Sequence, residues 1–116
     1  MSKGWIVREP MAREDLGQLA ARQFGDLVKA VVDVGRGVMA VGGELHADDE
    51  ALLLDDGARQ EDLWGINLYP HEGADEWIEF DSMINVRPLQ ANRSRDVEDP
   101  VVRASIRSIV DSLVRH

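Results

Sequence analysis

The residues best suited to hold an anion lie between positions 87 and 95. Three of the eleven arginines, Arg87, Arg93 and Arg95, fall there in a chain whose formal net charge is −9. Arginine presents a planar fork of N–H donors that matches phosphate or carboxylate. With Asn92, Ser94 and the start of the last predicted helix, they form a candidate anion site. The alternative, which we favour, is structural: the arginines neutralise nearby acids and hold a loop in place.

A second group has the chemistry of a metal site. Glu44, His46 and Asp48 would project from one face of an extended segment. Carboxylates with one histidine suit Mg²⁺, Mn²⁺ or Fe²⁺ better than structural zinc, and His71 or Asp81 could complete the set. The alternative is that these are ordinary surface acids, with Asp48 capping a short helix.

Charge is unevenly distributed along the chain. Residues 44–81 contain thirteen acidic side chains and one basic one, whereas residues 1–43 and 82–116 carry net charges of +1 and +2. The acidic middle argues against a broad contact with duplex DNA or an anionic membrane, since each phosphate contact requires Lys or Arg. A small anionic ligand remains compatible with this distribution.

Length and composition indicate one domain that covers residues 1–116. No apolar run approaches the roughly 18 residues of a membrane-spanning helix, and the N-terminus lacks the apolar region of a secretory signal. There is no cysteine, which excludes disulfides and thiolate metal sites. We therefore expect a cytoplasmic protein.

Two helices are predicted from apolar spacing and end signals. The first follows Pro10, places Leu16, Leu19, Ala20 and Phe24 on one face, and stops at Gly25. The second begins at Asp99-Pro100 and carries a continuous apolar stripe. That stripe consists of Val102, Ile106, Ile109, Val110 and Leu113.

Between these helices the apolar period changes to two, which indicates strands. Residues 28–34 and 38–41 form a predicted hairpin around Gly35-Arg36-Gly37. Residues 51–54 and 62–69 read as a second hairpin, although 47–54 could instead be a short helix. The final strand is predicted over 77–87. The fold class is therefore α+β: a mainly antiparallel sheet of four to five strands, with the N-terminal and C-terminal helices packed on one face.

The other face of this sheet is predicted to be polar and open to solvent, a ligand or a partner. Its polar members would be Lys29, Asp33, Asn67, Glu79, Asp81, Asn85 and Arg87. Tyr69, Trp77 and Met83 would lie among them, and aromatic and Met side chains are common at interfaces. This mixture favours self-association, most simply as a symmetric dimer.

Three blocks carry a family resemblance: GGELHAD, QEDLWGINLYP and EFDSMINVRP with the later NRSR. Together they resemble a small uncharacterised prokaryotic protein family, a domain of unknown function. The resemblance implies no activity, cofactor or catalytic residue. From the residues themselves we expect a non-catalytic binding or interaction domain that forms a homo-oligomer. The alternative is a small metal-dependent hydrolase or an enzyme that handles phosphate or nucleotides.

Overall fold

The computed structural model describes residues 4–115, which form a five-stranded sheet, a two-stranded sheet and three helices. The α-helices are Arg13–Arg22 (α1), His46–Asp55 (α2) and Pro100–Leu113 (α3). The strands are Trp5–Val7 (β1), Met11–Ala12 (β2), Val28–Asp33 (β3), Val38–Val41 (β4), Leu63–Leu68 (β5), Ile78–Glu79 (β6) and Val114–Arg115 (β7). The α+β class with an antiparallel sheet is confirmed.

The large sheet has the strand order β1-β4-β3-β5-β6, and every neighbouring pair is antiparallel. The predicted β3–β4 hairpin is present, and β3 also pairs with β5 along its whole length. In the second sheet β2 pairs in parallel with β7, which brings the last strand beside the start of α1.

One face of the large sheet carries the main core. Val28, Ala30 and Val32 of β3 are fully buried there, in one cluster with Leu16 of α1 and Ile106 of α3. The alternation of side chains along β3 and the apolar stripes of the two helices explain this cluster. The predicted end signals of the helices are also present. Gly25 has φ +94°, and the Asp99 side chain accepts a hydrogen bond from the Val101 N–H.

The opposite face is largely covered by α2. Val31, Ala40, Leu53 and Leu63 form a second buried cluster there. The prediction of a hairpin that includes residues 51–54 is therefore wrong, and the helical alternative over 47–54 is confirmed. The Leu45 N–H donates to Asp48 Oδ2, a local cap that favours the helix over a strand.

Of the strand predicted over 77–87, only Ile78–Glu79 is a strand, and the rest of the prediction is wrong. Residues Met83–Asn85 and Pro88–Gln90 are single turns of 3₁₀-helix. Asn85 and Arg87 therefore do not belong to the strand in which the alternating sequence pattern had placed them. Two aromatic positions also differ from expectation. Trp77 is 2% exposed and belongs to the main core, whereas Phe24 is 42% exposed.

None of the helices within residues 4–115 is long and apolar enough to cross a membrane.

Candidate functional site

Arg87 is a structural residue of the segment predicted to hold an anion. Its guanidinium donates to the carbonyl oxygens of Ile84, Gln60 and Leu63 and lies 4.5 Å from the centre of the Trp64 ring. These hydrogen bonds hold the turn at 83–90 against the start of β5. Burial lowers the pKa of the Arg87 guanidinium, although it stays charged because arginine titrates far above neutral pH. Its N–H groups are thus directed at oxygens of the chain itself, three of the backbone and one of the Gln90 side chain.

The turn around Asn92 and Ser94 already holds an anion supplied by the chain itself. The carboxylate of Glu98 accepts hydrogen bonds from the Arg93 N–H, the Ser94 N–H and the Ser94 hydroxyl. These donors, the Ser94 hydroxyl foremost, lower the pKa of Glu98. Asn92, 3% exposed, donates to the carbonyls of residues 85, 94 and 96. An external anion would have to displace Glu98, so the anion site stays a prediction.

The proposed metal ligands perform local tasks. Glu44 is exposed, Asp48 caps the start of α2, and His46 Nε2 lies 2.8 Å from the Ile66 carbonyl oxygen. Within residues 4–115 no group of three or more His, Asp or Glu side chains is arranged to hold a metal ion. Metal binding by these three residues stays a prediction from the sequence.

A cleft of about 450 Å³ lies between the start of α2, the strands β3, β5 and β6, and the chain at 81–84 and 95. We call it the β5 cleft. It collects side chains from three sequence predictions: the polar sheet face, the end of the anion loop and the metal site. Its polar lining consists of Lys29, His46, Asn67, Glu79, Asp81, Ser82 and Arg95. The positive charges of Lys29 and Arg95 balance the negative charges of Glu79 and Asp81, and His46 adds no charge because its ring is neutral.

His46 enters the cleft from the first residue of α2 as a neutral ring. Burial is the largest cause that lowers the pKa of His46, and the charge of Lys29 acts in the same direction. The hydrogen bond with Ile66 opposes this shift only in part. A carbonyl oxygen can only accept, so Nε2 carries the proton and Nδ1 keeps its lone pair.

Asn67 forms the floor of the cleft and has an unpaired atom. Its side chain is fixed because Nδ2 donates to Glu79 Oε1 at 2.8 Å and to the Asp81 carbonyl at 3.2 Å. The residue is 7% exposed, yet Oδ1 has no hydrogen-bond partner. The Asn67 side chain favours the protonated form of His46, but no donor reaches Oδ1 with hydrogen-bond geometry. Buried acceptors are normally paired, so this atom requires an explanation.

The carboxylate side of the cleft is held from two directions. Glu79 Oε1 also accepts a hydrogen bond from the Tyr69 hydroxyl, at 3.2 Å. Asp81 accepts from Arg95 Nε at 2.6 Å, an ion pair between side chains that are each about half exposed. The side chain of Arg95 thus lines the β5 cleft and pairs with Asp81, although the sequence predicted it as part of the anion site.

Asn85 was predicted on the open face but is fully buried beside β5. Its Oδ1 accepts from the Gly65 N–H at 2.8 Å, and its Nδ2 donates to the Gly65 and Arg95 carbonyls. The side-chain amide thus takes the place of a strand neighbour where β6 has already ended. This packing also requires glycine at 65, because a Cβ there would lie 2.5 Å from the Ser82 side chain.

A second cavity, of about 480 Å³, lies between the start of β5 and the start of α3. Its charged lining is acidic throughout: Glu61, Asp62, Glu98 and Asp99. Glu98 and Asp99 are already hydrogen-bonded within the chain. None of the unpaired buried side-chain atoms of residues 4–115 belongs to its lining. The β5 cleft is therefore the better candidate for a functional site.

A family model with the description "Protein of unknown function (DUF5674)" matches residues 5–113. No curated protein and no solved structure matches the chain.

Proposed function

The chain belongs to the DUF5674 family, and from the geometry above we propose that it is a binding domain that holds a small polar molecule in the β5 cleft without a catalytic step. The observation that carries this proposal is Asn67 Oδ1, an acceptor with no partner on the floor of a cleft. A buried polar group without a partner costs about 1–3 kcal/mol. A ligand that supplies a donor would remove this cost.

The composition of the cleft supports a small-molecule site. Small-molecule sites combine apolar walls with a few convergent polar groups. Here the polar groups converge from three strands, α2 and the loop at 95, while Leu45 and Met83 form an exposed apolar rim, 58% and 65% exposed. A ligand with one apolar part and one polar part could cover these exposed apolar side chains while it contacts the polar floor.

The binding proposal is tested by amide chemical shifts in ¹H–¹⁵N spectra during titration with a library of small polar fragments. We expect fragments to shift amides of β5, β6 and the start of α2. The Asn67→Ala variant should bind those fragments more weakly, since it lacks the side-chain amide on the floor of the cleft. Ser112→Ala, on the exposed side of α3, is the matched control and should change nothing. If no fragment shifts the cleft amides selectively, the binding proposal fails.

We also propose that the domain self-associates, as the sequence suggested. The supporting observation is β1, which ends the five-stranded sheet and carries Trp5 with 41% of its surface exposed. A strand at a sheet edge presents unpaired N–H and C=O groups to a second copy. Sedimentation equilibrium should give a dimer mass for the native chain and a monomer mass for Trp5→Glu. A monomer at all concentrations would refute this second proposal.

The metal-dependent alternative has its own measurement. A metal that binds the folded state must raise its melting temperature. If Mg²⁺, Mn²⁺ and Fe²⁺ at millimolar concentrations leave the melting temperature unchanged, the alternative is eliminated. The cytoplasmic location also stays a proposal from the sequence.

A further inference from the structure

Three polar side chains form one row across the floor of the β5 cleft. In the strand register Lys29 of β3 is opposite Asn67 of β5, and Asn67 is opposite Glu79 of β6. Opposite residues share a face, and neighbouring strands lie about 4.8 Å apart. The row therefore places a cation at one end, an amide in the middle and an anion at the other end, over about 10 Å of backbone.

The cation of this row has no carboxylate at ion-pair distance within residues 4–115. The Lys29 ammonium lies 4.9 Å from the centre of the Phe24 ring, and within residues 4–115 it makes no ion pair. Leu45 and His46, at the start of α2, line the cleft with it. This end of the cleft favours a negative group on a ligand.

The anionic end is held rigidly. Glu79 Oε1 is fixed by donors from Asn67 and Tyr69, so the carboxylate faces the cleft in a set position. Asp81 lies on the same side and adds a second negative charge, partly balanced by Arg95. Asn67 Oδ1, between the two ends, can accept a hydrogen bond but cannot donate one. This half of the cleft favours a group that donates several hydrogen bonds and carries positive charge.

Given the binding role proposed above, we infer that the ligand is a small zwitterion, an aminocarboxylate such as a free amino acid. Its carboxylate lies toward Lys29, and its ammonium lies toward Glu79 and Asn67. The apolar rim at Leu45 and Met83 then covers an apolar side chain of the ligand.

Simpler charged ligands fit the row less well. A plain anion such as phosphate would meet the carboxylates of Glu79 and Asp81, and a plain cation would meet Lys29 and Arg95. Like charges across a cleft disfavour binding. A zwitterion matches both ends at once and leaves the cleft electrically neutral.

The test is a titration series with three matched probes, leucine, leucinamide and 4-methylpentanoate, followed by the cleft amide shifts. Leucinamide lacks the carboxylate, and 4-methylpentanoate lacks the ammonium. We expect leucine to bind roughly tenfold or more tightly than either analogue, because each removes a charge-assisted hydrogen bond. The other standard amino acids are titrated in parallel, and those with apolar side chains should bind tightest.

Two variants assign the charges to the ends of the row. Lys29→Gln should abolish the preference for leucine over leucinamide and keep the preference over 4-methylpentanoate. Glu79→Gln should abolish the preference for leucine over 4-methylpentanoate and keep the preference over leucinamide. Arg93→Gln, an exposed arginine outside the cleft, is the matched control and should alter neither preference. Matching far-ultraviolet circular dichroism spectra verify that the variants remain folded.

The inference is overturned if both analogues bind as tightly as leucine, or if neither variant changes the preferences. It is also overturned if no amino acid shifts the cleft amides while other fragments do; the binding role then stands. If neither amino acids nor fragments shift them, the proposed function itself is refuted.

Discussion

Replacing Asn85→Ala tests the most specific packing feature of the fold, the side-chain amide that extends β5 in place of a strand. Three hydrogen bonds are lost, one from the Gly65 N–H and two to the carbonyls of Gly65 and Arg95. Asn85 is fully buried, so water enters only if the turn opens. The Arg95 carbonyl keeps its hydrogen bond from the Ser82 N–H, so the two groups left unpaired are the Gly65 N–H and the Gly65 carbonyl. Each costs about 1–3 kcal/mol, and partial relaxation brings the expected total to about 2–4 kcal/mol. That is a large part of the roughly 5–15 kcal/mol that stabilises a typical domain.

The measurement is urea denaturation followed by tryptophan fluorescence, with the free energy of unfolding extrapolated to water. Gln90→Ala is the matched control, because its amide also donates to a carbonyl, that of Glu61, but at the exposed surface. We expect the control to lose less than about 1 kcal/mol. If Asn85→Ala loses no more than Gln90→Ala, the amide does not act as a strand neighbour.

A second variant separates hydrogen bonding from packing. Asn85→Asp has nearly the same shape and keeps the acceptor for the Gly65 N–H, but an ionised carboxylate would face two carbonyl oxygens. Burial raises the pKa of such a carboxyl, and its protonated form can still donate to one carbonyl. The variant should therefore be more stable at pH 4 than at pH 7, relative to the native chain. Equal losses at both pH values would indicate a packing effect alone.

Further predictions concern a buried acid, a glycine and a buried arginine. Burial raises the pKa of Asp49 to about 8, so the folded state keeps a proton that the unfolded state releases near pH 4. Stability should fall by up to about 1.4 kcal/mol per pH unit between these values, and Asp49→Asn should remove that slope in denaturation curves at several pH values. Gly65→Ala should cost about 1–3 kcal/mol through its contact with Ser82, and Ser82→Gly should restore most of the loss in the double variant. Arg87→Lys should lower the free energy of unfolding by about 2–4 kcal/mol, since one ammonium cannot reach three carbonyls and stack on Trp64; a loss equal to that of the exposed Arg93→Lys would contradict this role.

The elements that the sequence predicted best are those with a local signal at each end. The last helix has Asp99 and Pro100 at its start and a continuous apolar stripe, and the β3–β4 hairpin has glycines at its turn. Residues 47–54 were ambiguous because a short apolar run has no clear period. The strand predicted over 77–87 failed because alternation persists in its sequence after the backbone turns away from the sheet.

The candidate site was only partly predictable. Period two correctly placed Lys29, Asn67 and Glu79 on one face, because the register of antiparallel strands preserves the side of each residue. His46 and Arg95 were singled out for other sites, a metal centre and an anion loop. Their meeting in one cleft depends on how α2 and the 92–97 loop pack on the sheet, and no spacing in the sequence encodes that.

The sequence by itself determined the α+β class, the principal helices and the sides of the strands, since these follow from local periodicity and end signals. Only the tertiary structure decided which polar groups have hydrogen-bond or ion-pair partners within the chain. The arginines at 87 and 95 and the carboxylate of Glu98 find partners within the chain, because nearby donors and acceptors satisfy each other wherever packing brings them together. Asn67 keeps one unpaired oxygen because none of the side chains packed around the cleft brings a donor to it.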